Sequence, residues 1–136
     1  MKISLTQLQS YNIVYKLLNN YYDKTKDEDM MSLLPSMLFW NEQSTADPAI
    51  WGEWLEAINN KKKLTKEEAF DGMIKFLEIY YMLAPYSYVK TLLSNMYSAK
   101  DCNDSRIPVV KQWNTHLKEV LQEPKGSRMY LWSTKK

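Results

Sequence analysis

Residues 5–22 read LTQLQSYNIVYKLLNNYY, and residues 64–81 read LTKEEAFDGMIKFLEIYY. Written one above the other they keep Leu-Thr at the start, a Lys at 16 and 75, a Leu at 18 and 77, and Tyr-Tyr at the end. The match continues without a gap, so that residues 5–58 align with 64–117 at a constant offset of 59. Leu33-Leu34 recurs as Leu92-Leu93, Met37 as Met96 and Trp54 as Trp113, giving 10 identities in 54 positions. Tyr11/Phe70, Val14/Met73, Leu17/Phe76 and Ile50/Val109 are close replacements. What repeats is apolar scaffold, and no catalytic constellation repeats with it.

Each copy reads as three helices. Thr6 and Thr65 stand three residues before Gln9 and Glu68, the capping-box arrangement that satisfies two orphan amides at a helix start. Tyr11, Val14, Tyr15, Leu18 and Tyr21-Tyr22 follow at helical spacing, as do Phe70, Met73, Ile74, Leu77 and Tyr80-Tyr81. The spacing predicts helices over 5–22 and 65–83, broken by the polar run 23–27 and by Ala84-Pro85. Second helices are expected over 28–39 and 86–99, the first kinked at Pro35. Asp47 and Pro48 are natural N-cap and N1 residues for a third helix after the loop 41–46. Its counterpart starts in Asp104 to Pro108. Residues 59–63 form a polar linker, and 124–136 a tail outside the repeat in which Met129 to Trp132 read as an extended segment on the bundle.

The expected fold is therefore all-α: one domain over 1–136, about six helices in two tandem three-helix repeats packed face to face about a pseudo-twofold. A lone unit of about 55 residues is marginal, and packing two together hides the apolar face of each. Three Gly and five Pro in 136 residues agree with a helical chain.

Composition narrows function mostly by exclusion. Net charge is +2, too little to argue for nucleic acid. No apolar run approaches the roughly 20 residues needed to cross a bilayer, and the start lacks a signal-peptide pattern, so a cytoplasmic protein with no membrane partner is expected. The single Cys102 fits a reducing compartment. It lies between Asp101 and Asn103, where a carboxylate disfavours the thiolate. One Cys and one His cannot build a usual zinc site. His116, one turn after Gln112 and Trp113, reads as a surface or core residue with no metal pair on its helix. Glycines only at 52, 72 and 126 exclude a phosphate-cradling loop, and Asp27-Glu28-Asp29 lacks the spacing of a calcium loop. Neither cofactor nor metal is expected.

Charge is unevenly divided. Residues 1–60 hold 4 Lys against 8 acids, a net of −4; residues 61–136 hold 14 Lys plus Arg against 8 acids, a net of +6. The acidic first half and its aromatic residues are the candidate partner-binding surface: Asp27, Glu28, Asp29, Asp47, Trp51 and Glu53. Trp40, Tyr86 and Tyr88, off the helical stripes, are further interface candidates because Trp and Tyr dominate binding hot spots.

Ala69-Phe70, Met73, Phe76-Leu77-Glu78 and Tyr80-Tyr81 spell AF-x-x-M-x-x-FLE-x-YY. Thr45-Ala46-Asp47-Pro48-Ala49, Trp51 and Trp54 spell TADPA-x-W-x-x-W, preceded by Leu33-Leu34-x-x-Met37. Together, over most of residues 5–117, these resemble a family of small, mostly uncharacterised bacterial proteins regarded as immunity proteins of polymorphic toxin systems. The first copy departs from the pattern at Ser10-Tyr11 and Pro35, and the second loses Asp-Pro-Ala. The resemblance implies a non-catalytic protein that neutralises a cognate toxin by covering its active site or an essential surface. The other readings are a homo-oligomeric adaptor and, behind it, a small enzyme, which a deep pocket with convergent titratable groups would favour.

Overall fold

A computed structural model of the chain describes residues 3–26, 28–83, 92–98, 108–124 and 126–130. The described residues are mostly helical, an all-α bundle with one minimal sheet. Helix α1 is Gln7–Thr25, α2 Glu28–Met37, α3 Pro48–Ala57 and α4 Lys66–Leu83. Residues 92–98 are helical (α5), and α6 is Pro108–Leu121. Strands β1 (Leu5–Thr6) and β2 (Lys63–Leu64) pair antiparallel, with Leu5 opposite Leu64 and Thr6 opposite Lys63.

Both capping boxes form. Gln9 N–H donates to Thr6 Oγ1 at 3.0 Å while Thr6 N–H donates to Gln9 Oε1 at 2.9 Å. Glu68 N–H and Thr65 N–H make the matching pair at 3.1 and 2.9 Å. Helix α1 runs three residues beyond the expected end at 22, because Asp23, Lys24 and Thr25 are compatible with helix, and Thr25 Oγ1 bonds back to the Tyr21 carbonyl. It stops at Lys26, whose φ of 55° is left-handed and whose N–H caps the Tyr22 carbonyl. Helix α2 passes through Pro35 and ends at Met37, two residues short of expectation. Asp47 and Pro48 start α3 as read from the sequence, the Asp47 side chain accepting from Ala49 N–H at 3.1 Å. The start of the expected helix 86–99, Tyr86, Tyr88, Cys102, Asp104 and residues 131–136 lie outside the described residues.

Helix α1 packs chiefly on α6, α3 on α4, and α1 also on α2. One apolar core takes in all of them, from Leu5 to Val120. At its centre the buried Tyr11 ring meets Trp51, Phe39, Trp54 and Phe76 edge-on, with centroids 5.1, 5.9, 5.9 and 6.5 Å away. Such pairs each add about 0.5–1.5 kcal/mol beyond area burial. The Tyr11 hydroxyl donates to the Met37 carbonyl at 2.6 Å, supplying the α2 C-terminus with a partner its helix cannot provide. Trp54 Nε1–H donates to the Gln7 carbonyl at 3.2 Å. Gly72 lets α4 close on α3: a Cβ there would lie 2.6 Å from Ile58 Cγ2. No helix among the described residues is long and apolar enough to cross a membrane.

Candidate functional site

The segment from Leu38 to Ala46, expected as the end of a helix to residue 39 followed by a loop over 41–46, is a pinned hairpin. Ala46 N–H donates to Leu38 O at 2.7 Å and Trp40 N–H to Ser44 O at 2.9 Å. Asn41 Oδ1 accepts from the amides of Gln43 and Ser44 at 2.8 and 3.0 Å, closing the tip as an Asx turn. Phe39 forms an antiparallel bridge to Thr45 and a parallel one to Tyr130, and its N–H donates to Met129 O at 2.7 Å. The expected extended tail thus exists over its described part and supplies the hairpin's outer neighbour. The Arg128 guanidinium stands 5.5 Å over the Phe39 ring, and Asn12 Nδ2 holds Ser127 O at 2.9 Å.

Side chains alternate along extended chain. Phe39 points into the aromatic core, and its neighbour Trp40 is 53% exposed. A Trp held outward on a backbone bonded on both sides is a preorganised anchor, which loses little further freedom on binding.

The root of the hairpin is continuous with α3. The buried Thr45 hydroxyl donates to Asp47 O at 2.6 Å and accepts from Trp51 N–H at 3.3 Å. Trp51, a sequence-predicted partner residue, is half-buried, its ring 5.7 Å from Phe39 and 5.1 Å from Tyr11. Asp47 is exposed, and Glu53 is half-buried. Burial pushes the Glu53 carboxyl above its ordinary value, and the charges of Asp47 and Glu56 push it the same way. Asp47, Trp51 and Glu53 are therefore brought together beside Trp40's hairpin. Glu28 is not: it opens α2, about 14 Å from the hairpin end of that helix at 1.5 Å per residue. Asp27 and the side chain of Asp29 lie outside the described residues.

One correction concerns His116. Glu119 lies one turn on, and its Oε1 is 2.9 Å from His116 Nδ1. A carboxylate only accepts, so the Nδ1 atom carries the proton. The spacing His116-x-x-Glu119 is an i, i+3 pair, so the histidine does have an acidic partner on its own helix, contrary to expectation. Among the described residues no group of three or more His, Cys, Asp or Glu is placed to hold a metal ion. Comparison with protein families, with curated proteins and with solved structures gives no significant match.

Proposed function

We propose that the chain is a non-catalytic protein-binding module, and, from the motifs around Trp51 and Tyr80-Tyr81, an immunity protein that neutralises a cognate toxin by covering its active site or an essential surface. The observation that carries the reading is Trp40, more than half exposed on a hairpin strand bonded on both sides. Exposed Trp at a rigid position is the residue type and setting of a binding hot spot. The crowded carboxylates of Asp47, Glu53 and Glu56, on the helix that begins at the hairpin's root, favour a partner with a basic surface.

The bundle itself is proposed to be two copies of one three-helix unit about a pseudo-twofold. Leu5 and Leu64, equivalent at the offset of 59, face each other across the strand pair. The contacts α1–α6 and α3–α4 exchange under the same offset, so the units interlock rather than merely abut. Tyr11–Trp54 at 5.9 Å has its counterpart in Phe70–Trp113 at 5.2 Å. Sequence change between the copies then marks where the protein was adapted, and the hairpin root at 45–53 is one such stretch.

The test is to mix the purified chain with the product of the adjacent gene. The proposal expects a one-to-one complex at micromolar concentration or below and rescue of cells expressing that product. No complex at micromolar concentration would overturn it.

A further inference from the structure

Away from the hairpin, helices α1 and α6 part to leave an open cleft of about 420 Å³, with Met129 of the tail at its edge. Six of its nine lining side chains are titratable, and no member of the Tyr11 aromatic cluster takes part. Several of its polar residues stand where the equivalent residue of the repeat is apolar. Tyr15, Asn20, Asp23 and Lys24 line the cleft from α1; the residues 59 positions on are Ile74, Ile79, Met82 and Leu83. His116 lines it from α6, and the residue 59 positions before it is Ala57. Five lining positions are thus polar where the residue 59 positions away is apolar, whereas Lys16, Asn19 and Glu119 have the polar counterparts Lys75, Glu78 and Asn60.

Lys16 and Lys24 line the cleft against Asp23 and Glu119, and Glu123 just outside it adds a third carboxylate. Lys16 pairs with Glu123, its Nζ 3.2 Å from Glu123 Oε2, and its charge also reaches Glu119. Glu119 accepts from His116 through Oε1, leaving its second oxygen for another donor. His116 is only 8% exposed, and its Nε2 has no protein partner among the described residues. Lys24 stands exposed, with Asp23 beside it in sequence and likewise exposed. Three carboxylates thus stand against two lysines, and the carboxamides of Asn19 and Asn20 add further acceptors.

We propose that this cleft binds a small organic cation, an alkyl-ammonium or alkyl-guanidinium, through the carboxylates of Asp23 and Glu119 with the Tyr15 ring beside it. A guanidinium offers a fork of donors matching carboxylate and amide oxygens, and an aromatic face attracts it further. The local field agrees: burial, and then the Asp23 charge, raise the Tyr15 hydroxyl, and the hydrogen bond from His116 holds Glu119 below its ordinary value. The site is independent of the hairpin, so its failure would leave the protein-binding reading intact.

His116 is the only histidine, so its ring protons are an uncrowded NMR probe inside the cleft. Agmatine titrated into the full chain is expected to shift them saturably, whereas sodium phosphate and glucose are not. Asp23→Asn and Glu119→Gln are each expected to weaken agmatine about ten-fold, the loss of one charge-assisted hydrogen bond. The carboxamide introduced by Glu119→Gln keeps an acceptor oxygen for His116, so the ring stays in place. Lys111→Ala, on an exposed position of α6 outside the cleft, is expected to leave the affinity unchanged. No shift up to about 50 mM agmatine, saturable binding of phosphate instead, or agmatine affinity unaltered in both carboxylate variants would overturn the proposal.

Discussion

Replacing Tyr11 by Phe removes one oxygen from the middle of the core and leaves the ring where it is. The Tyr11 side chain is fully buried, and its hydroxyl donates to the Met37 carbonyl at 2.6 Å. That carbonyl is at the last residue of α2, where no amide of the same helix reaches it. Tyr11→Phe therefore strands a buried acceptor, which costs about 1–3 kcal/mol, toward the lower end where the helix terminus can shift to meet solvent. The ring contacts with Trp51, Phe39, Trp54 and Phe76 survive, and Phe already stands at the aligned position 70 of the sequence. For a chain of 136 residues about 1–2 kcal/mol corresponds to a fall in Tm of about 4–8 °C. Tyr11→Ala, which also empties the ring's volume, should cost about 3–5 kcal/mol. Urea and thermal unfolding followed by circular dichroism give both values. A Tyr11→Phe variant as stable as the parent, or as unstable as Tyr11→Ala, would refute the role given to the hydroxyl.

The same residue sets an alkaline limit. Burial raises the Tyr11 hydroxyl far above its ordinary value near 10, so the native state keeps a proton that the unfolded chain loses. Stability is then fully present below about pH 10 and falls as pH rises above it, by up to about 1.4 kcal/mol per pH unit for this group. Urea midpoints from pH 9 to 11.5 should fall less steeply in Tyr11→Phe than in the parent. Gly72→Ala should destabilise by about 1–2 kcal/mol, because a new Cβ would meet the stiff Ile58 Cγ2 at 2.6 Å and outweigh Ala's better helix propensity. In an Ile58→Ala background the same change should be neutral or stabilising, and equal effects in both backgrounds would exclude the clash as the cause. Glu53→Gln should stabilise the free protein by a few tenths to about 1 kcal/mol, since the carboxylate is penalised by burial and by Asp47 and Glu56. It should also weaken a basic partner, and a stability that drops on this change would count against the crowded-charge reading.

How legible the protein was in its sequence differs from element to element. The helix starts could be read because their chemistry is local: Thr6 with Gln9, Thr65 with Glu68, and Asp47 with Pro48 each answer the backbone amides next to them. The end of α1 was less legible, because Asp23 to Thr25 are neither strong breakers nor strong formers and Lys26 provides the left-handed cap without being Gly. The hairpin at 38–46 was invisible because its order comes from far along the chain, through Met129 and Tyr130. For the same reason Trp51 could be named as a surface anchor while its ring lies half-buried against Tyr11 and Phe39. The cleft needs α1 beside α6, helices far apart in the chain whose contact no local pattern encodes.

The central claim is that the pinned Trp40 anchors a protein partner. Isothermal titration of the adjacent gene's product with the parent chain and with Trp40→Ala tests it most directly. Trp40 is 53% exposed, so the covered half of its side chain should contribute about 1–2 kcal/mol to folding, while its loss should cost at least about 2 kcal/mol of binding. The expected result is a Kd raised about thirty-fold or more for a variant that is still folded by circular dichroism at the titration temperature. A Trp40→Ala variant that binds as tightly as the parent would contradict it.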